Sequence, residues 1–197
     1  MPSLPPVTKA LILICVGVFS AQYLLPGVLE GLFALWPVQS GRFMPWQLLS
    51  YSFLHGDPAH LFFNMLALWM FGAEIERLWG RKRYMQFLLA SALSAALVQL
   101  LWTFLMGSRA PTVGASGATF GLLLAFAMLF PNRTIIPLFP PIPMKAKVFV
   151  AIFGALELVL GVTGRSGIAH FAHLGGMLGG FLMIRYWRGQ TPFSRRR

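Results

Sequence analysis

Long apolar runs alternate with short basic connections along the whole chain, and this pattern leaves few folds open to it. Six runs are long enough, or nearly so, to cross a bilayer as helices: 8–26, 59–78, 84–106, 115–131, 147–163 and 168–187. A crossing helix needs about 20 residues, because each residue rises about 1.5 Å and the hydrocarbon is about 30 Å thick. Of the 197 residues, 57% are hydrophobic and 11% are charged, whereas a soluble domain carries about 25% charged residues. The sequence therefore predicts an all-α membrane protein, a bundle of six transmembrane helices.

The positions of the basic residues predict the orientation of the bundle. The connections after the second, fourth and sixth runs carry most of the cations: Arg77, Arg81, Lys82, Arg83, Arg133, Lys145, Lys147, Arg185, Arg188, Arg195, Arg196 and Arg197. The other connections hold only Arg42, Arg109 and Arg165. Because cytoplasmic loops are rich in Lys and Arg, both termini are expected in the cytoplasm. The net charge of +11 is thus a topology signal, and no nucleic-acid partner is expected.

One polytopic domain is expected over residues 1–197, since the chain has no internal repeat. Its core would cover about 8–188, followed by a short basic cytoplasmic tail, 189–197. The aromatic-rich segment 27–58 is too interrupted by proline to span and is expected to lie partly in the outer interface. Residues 131–147 contain five prolines and predict a non-helical cytoplasmic loop.

The first run admits a second interpretation, because a single Lys9 precedes it and small residues, Ser20 and Ala21, lie near its end. It could be a cleaved signal peptide. A retained helix is favoured, because a sixth span balances the other five. The short tail and the few cytoplasmic residues favour a prokaryotic inner membrane, with an organelle membrane as the alternative.

Polar side chains inside the runs are costly in hydrocarbon and mark candidate functional sites. They are His60 and Asn64 in the second run, Ser116 in the fourth, Glu157 in the fifth, and His170 and His173 in the sixth. Counting about 1.5 Å per residue from the cytoplasmic ends places His60, Ser116 and His173 at similar depth in the outer half of the bilayer. A hydroxyl and two imidazoles from three helices are therefore expected close together.

The segment GASGATFG, residues 114–121, begins the short fourth run with Ser116. A serine at a helix start lies beside backbone N–H groups that lack partners and can hold an anion. Gly117 and Gly121 also form a G-x-x-x-G pattern that is typical of helix packing. Both interpretations can hold, because close packing would bring another helix to Ser116.

The sixth run offers the matching helix. His173, Gly176 and Gly180 fall on one face, so that the glycines form a groove with the histidine at its upper end. A histidine beside a serine can take its proton as a general base. In the second run, His60 and Asn64 share a face and could donate to an oxyanion or form a polar clamp between helices.

Five motifs in order resemble the rhomboid family of intramembrane serine proteases, over about residues 44–185. They are PWQLLSYSFLH in the first loop, HLFFN and EIERLWG in the second run, GASG in the fourth and AHLGG in the sixth. The resemblance implies a six-helix bundle that hydrolyses peptide bonds of transmembrane substrates without a cofactor or metal.

The resemblance also implies roles for individual residues. Ser116 would be the nucleophile and His173 the general base and then acid, in a dyad with no acidic third member. The oxyanion hole would comprise His60, Asn64 and the backbone N–H of Ser116. The supporting residues would be Gly114, which shapes the loop, and Glu76 and Arg77, which brace the first loop or helix ends. Phe120 occupies the position of a tyrosine that stacks on the histidine in some relatives.

Two other functions remain open from the sequence. One is a catalytically inactive rhomboid-like factor that binds membrane proteins. The other is a metal-dependent membrane protein that uses His60, His170 and His173. Glu157 could influence the lateral gate that the family places at the fifth helix, or it could be protonated or bonded to a neighbouring helix.

Overall fold

The protein is predominantly helical in its computed structural model, which describes residues 3–138, 140–163 and 169–190. The helices are α1 (Pro6–Leu24), α2 (Val28–Phe33), α3 (Gln47–Ser50), α4 (Pro58–Ala67), α5 (Ala73–Leu105), α6 (Ser116–Leu129), α7 (Ala146–Thr163) and α8 (His170–Trp187). A π-helical turn, Leu68–Gly72, joins α4 to α5. Arg165 and most of the predicted tail 189–197 lie outside the described residues.

Three helical stretches among the described residues are long and apolar enough to cross a membrane: Pro6–Leu24, Pro58–Leu105 and Ala146–Thr163. A shorter apolar helix spans Ser116–Leu129. The helical class and the presence of candidate membrane spans are therefore confirmed. The count of six spans stays a prediction.

The second stretch contains a break that separates two of the predicted runs. Gly80 has a φ of 76° and a ψ of 165° inside an otherwise helical segment. This backbone conformation is open to glycine and strained for other residues. The predicted run 59–78 lies before Gly80 and the predicted run 84–106 lies after it. The basic residues Arg81, Lys82 and Arg83 follow the break directly.

Both long connections are ordered by local structure. Residues 27–58 form α2, α3 and two 3₁₀ turns, Val38–Ser40 and Tyr51–Phe53, rather than a span. An isolated bridge between Leu35 and Thr112 ties this segment to the chain before α6. The proline-rich connection is not helical, as predicted, but it contains an unpredicted antiparallel pair of strands, β1 (Thr134–Ile135) and β2 (Met144–Lys145).

Helices α6 and α8 approach so closely that their backbones touch. A Cβ atom added to Gly176 would lie 1.8 Å from the carbonyl oxygen of Gly117. One turn further along, Cβ atoms on Gly121 and Gly180 would lie 2.5 Å from Ser91 Oγ and 2.7 Å from a ring carbon of Phe87. The glycine groove predicted on α8 is therefore filled by α6 and α5.

The carboxylate of Glu76 caps the first turn of α1. Its two oxygens accept hydrogen bonds from the backbone N–H groups of Val7, at 3.0 Å, and Thr8, at 2.7 Å. Arg77 donates to the carbonyl of Ser3 at 3.0 Å. A carboxylate at a helix N-terminus satisfies unpaired donors and complements the helix dipole. Glu76 and Arg77 therefore contact the N-terminal end of α1. Bracing a helix end is one of the two roles that the resemblance implies for them.

We predict that Gly176→Ala lowers the thermal unfolding midpoint of the protein in detergent, because the added methyl would force α6 and α8 apart. Overpacking of this kind costs about 1–3 kcal/mol. Gly154→Ala is the matched control, since its Cβ would meet only the flexible end of Met177 at 3.4 Å. An unchanged midpoint in Gly176→Ala would contradict the close contact of the two helices.

Candidate active site

Ser116 is the first residue of α6, and the loop that leads to it is shaped by Gly114. Gly114 has a φ of 125°, and a Cβ atom there would lie 2.6 Å from Cε1 and Nε2 of His60. Any larger residue would therefore strain the backbone and displace the imidazole. This arrangement holds the hydroxyl of Ser116 and the ring of His60 against the same short turn.

His173 on α8 meets Ser116 on α6. Its Nε2 atom lies 2.8 Å from Ser116 Oγ, although 57 residues separate the two in sequence. The ring of Phe120 stacks on the imidazole with centroids 4.2 Å apart and an angle of 5° between the planes. His173 is buried. Its ring contacts Phe120 on one face and Ser116 at Nε2.

Glu157 on α7 is an acidic neighbour of His173, a contact that the predicted serine–histidine dyad did not include. Its Oε2 atom lies 2.8 Å from His173 Nδ1 and 2.5 Å from His170 Nδ1. The sequence contained one signal for this contact, a carboxylate in an apolar run. The signal did not identify the partner, because helical spacing says nothing about which residues of two separate helices face each other.

His60 and Asn64 line the same cavity as Ser116. His60 Nδ1 accepts a hydrogen bond from the backbone N–H of Gly56 at 3.3 Å. Its proton is therefore on Nε2, the atom beside Gly114. Asn64 donates one amide proton to the carbonyl of His60 at 2.9 Å, which leaves its second amide proton for another acceptor.

Thr119 orients the amide of Asn64, a contact that the sequence analysis did not identify. The hydroxyl of Thr119 lies 3.1 Å from Asn64 Oδ1 and 3.1 Å from the carbonyl oxygen of Ser116, so its one hydrogen is shared between these two acceptors. Thr119 and Asn64 are both buried. The position of Thr119 three residues after Ser116 on a helix, and so one turn away, is the signal that could have suggested it.

A cavity of about 980 Å³ contains Ser116 and His173. Around the site it is lined by the polar side chains of His60, Asn64 and Thr119 and by the loop 108–113. Much of its remaining wall is apolar, with Phe63 of α4, Leu123 of α6 and Phe153 of α7 among the residues that form it. A chain segment with apolar side chains could therefore lie beside the serine and the histidine.

The predicted metal set of His60, His170 and His173 is not brought together. Among the described residues, the His, Cys, Asp and Glu side chains whose donor atoms lie within 4.8 Å of one another are Glu157, His170 and His173. The N–O separations of 2.5 and 2.8 Å are those of hydrogen bonds. A tetrahedral metal about 2.0–2.2 Å from each donor would hold the donors more than about 3 Å apart.

His55 packs against His60 and is almost completely buried. Neither of its ring nitrogens has a hydrogen-bond partner among the described residues, and its ring packs edge-on against that of His60 at 5.1 Å. Burial, with a smaller contribution from His60, lowers the pKa of His55 to about 4 from its usual 6.5. His55 is therefore neutral at physiological pH.

Comparison with known proteins identifies the family. The Rhomboid domain profile matches residues 42–189. The chain is 31% identical to the mitochondrial Presenilin-associated rhomboid-like protein A of Danio rerio, over 81% of this chain and 43% of that protein. It is 32% identical to Rhomboid protease GluP of Bacillus subtilis (strain 168), over 69% and 25%. It is also 32% identical to the mitochondrial Rhomboid protein 1 of Saccharomyces cerevisiae, over 89% and 55%. The chain therefore belongs to the rhomboid family and is an integral membrane protein.

The chain spans between 25% and 55% of the length of the three relatives named above. Two of the three are mitochondrial by name, so the predicted prokaryotic inner membrane is not supported.

We predict that Gly114→Ala lowers the rate at which a fluorophosphonate labels Ser116 by at least about 100-fold, because the methyl would push the His60 ring away from Ser116 and a displacement of about 1 Å can have this effect on reactivity. Gly107→Ala is the matched control, since Gly107 also has a positive φ, of 65°, but nothing within 4 Å of its Cβ. The two variants would be compared by initial rates of labelling at Ser116. Equal losses would show that backbone strain, rather than the contact with His60, explains the effect.

We further predict that protonation of His55 destabilises the fold. Its pKa is lower in the folded chain than in the unfolded chain, so the unfolded state binds more protons and stability falls as the pH drops from about 6.5 towards 4. His55→Phe should flatten this part of the curve of unfolding midpoint against pH. Parallel curves for the wild type and the variant would contradict the assignment.

Proposed function

We propose that the chain is an intramembrane serine endopeptidase that hydrolyses peptide bonds in or near the transmembrane segments of membrane-protein substrates. The supporting observation is the separation of 2.8 Å between Ser116 Oγ and His173 Nε2, from two helices that otherwise meet through glycines. In this proposal the protein is one polytopic domain over 1–197 with six spans, a core of about 8–188 and both termini in the cytoplasm.

The first half of the reaction forms an acyl-enzyme. Ser116 Oγ attacks the substrate carbonyl carbon while its proton passes to His173 Nε2, and the carbonyl π electrons move to the oxygen. When the tetrahedral intermediate collapses, the C–N bond breaks and the amine leaves with the proton from Nε2. An ester between the substrate acyl group and Ser116 remains.

Water completes the reaction through the same two side chains. Nε2 of His173 accepts a proton from a water molecule, whose oxygen attacks the ester carbon. The ester C–O bond then breaks, and Ser116 Oγ regains its proton from His173. No redox partner or cofactor is needed for this balance.

The developing oxyanion would be held by donors that surround Ser116. These are the Nε2–H of His60, the second amide proton of Asn64 and the backbone N–H of Ser116 at the start of α6. Donors fixed before the reaction stabilise a transition state without reorganisation. The hydrogen bonds from Gly56 to His60 and from Thr119 to Asn64 support this role, because they fix the tautomer of His60 and the direction of the amide.

The proposed substrates are membrane proteins whose transmembrane segment lies along the apolar wall of the cavity. A carbonyl in a helix is already hydrogen-bonded, so the segment must unwind locally before Ser116 can attack. Small or helix-breaking residues in the substrate would lower the cost of unwinding. A catalytically inactive binding factor would not need the paired serine and histidine that this chain retains.

The test is cleavage of a substrate with one transmembrane segment by the purified full chain in lipid vesicles. We expect the wild type to cleave it, Ser116→Ala and His173→Ala to lose at least about 1,000-fold in rate, and a chelator to have no effect. Cleavage that persists in Ser116→Ala would contradict the proposed function. Activity that a chelator abolishes would favour the metal-dependent alternative.

A further inference from the structure

Glu157 lies where α7 meets α8, and a single oxygen of its carboxylate faces two imidazoles. Oε2 is 2.8 Å from His173 Nδ1 and 2.5 Å from His170 Nδ1. All three residues are buried, with exposed fractions of 9% for Glu157, 4% for His170 and 7% for His173. A buried carboxylate is costly unless it is hydrogen-bonded, and the two imidazoles offset this cost for Glu157.

The contact fixes the position of the proton on His173. An ionised carboxylate can only accept hydrogen bonds, so the imidazole nitrogen that faces it carries hydrogen. A neutral His173 with its proton on Nδ1 has its lone pair on Nε2, the atom 2.8 Å from Ser116 Oγ. This tautomer is the one that can accept the serine proton. The opposite tautomer would direct an N–H group at the hydroxyl and could not act as a base.

We propose that Glu157 is the positioning residue of His173, so that the site works as a Ser–His–Glu triad whose carboxylate is held by His170. The proposal rests on the proposed function, because it assigns a role in the same reaction. The proton from Ser116 stops on Nε2, and the Nδ1 proton stays on His173. The carboxylate stabilises the imidazolium that forms, without accepting a proton itself.

His170 has a distinct part in this arrangement. Its hydrogen bond to Oε2 supplies the carboxylate with a second donor and restrains its direction. His170 and His173 are three residues apart and lie on one face of α8, so one carboxylate from α7 can reach both. Phe120 restrains the face of the His173 ring through stacking, while Glu157 and Ser116 hold its two nitrogens.

The test compares Glu157→Gln with the wild type by kcat and KM on the transmembrane substrate. The glutamine keeps the shape of the side chain but removes its charge, and its amide can turn an N–H group towards His173. We expect kcat to fall by about 100- to 10,000-fold, with KM within about twofold, because loss of the carboxylate at such a histidine permits the unproductive tautomer. Glu74→Gln is the matched control, since Glu74 pairs with Arg133 at an exposed site and should leave kcat unchanged.

A second measurement determines the tautomer of His173 in the wild-type protein itself. The chain has four histidines, so ¹⁵N spectra of histidine-labelled wild-type protein can be assigned through single substitutions. We expect His173 to carry its proton on Nδ1 and to have an unprotonated Nε2. In Glu157→Gln, a population with the proton on Nε2 should form.

Three results would overturn the proposal: a proton on Nε2 of His173 in the wild type, a kcat for Glu157→Gln within about threefold of the wild type, or an effect confined to KM. The last would indicate a role in substrate binding or in packing α7 against α8. These failures are distinguishable from failure of the proposed function. An active Glu157→Gln beside an inactive Ser116→Ala removes only the role of Glu157, whereas an active Ser116→Ala removes the protease itself.

Discussion

The contact between α6 and α8 is the constraint on which the rest of the site depends. Glycine at positions 117 and 176 allows the two backbones to touch, and one turn or less from this contact Ser116 and His173 face each other. A side chain at position 176 would have to displace a backbone carbonyl. The same feature that satisfies close helix packing in an apolar solvent therefore also sets the distance between the two reactive atoms.

The apolar surroundings explain why the polar residues occur as pairs and small networks. A polar group in hydrocarbon has no water to bond with, so partners within the protein stabilise it. The contact of the serine with the histidine continues through Glu157 to His170, and Asn64 and Thr119 form a second pair in the same cavity. Each partner also limits the orientation of its neighbour, so that satisfying the hydrogen bonds prepares the site for chemistry.

Much of this arrangement could be predicted from the sequence. Apolar runs indicated the helical membrane class, and residue counts from the basic loops placed His60, Ser116 and His173 at one depth. Glu157 was visible as an acid in an apolar run, but its partners depend on how α7 rotates against α8, which periodicity does not determine. The strands in the proline-rich loop and the hydrogen bond between the side chains of residues 64 and 119 were missed for the same reason, since both depend on tertiary pairing.

The central claim is that His173 activates Ser116, and covalent labelling tests it most directly. Purified protein in lipid would be treated with a fluorophosphonate, and the rate and position of the adduct would be measured by mass spectrometry. The account predicts one adduct at Ser116 in the wild type and a rate at least about 100-fold lower in His173→Ala. An adduct elsewhere, or equal labelling rates in the two proteins, would contradict it.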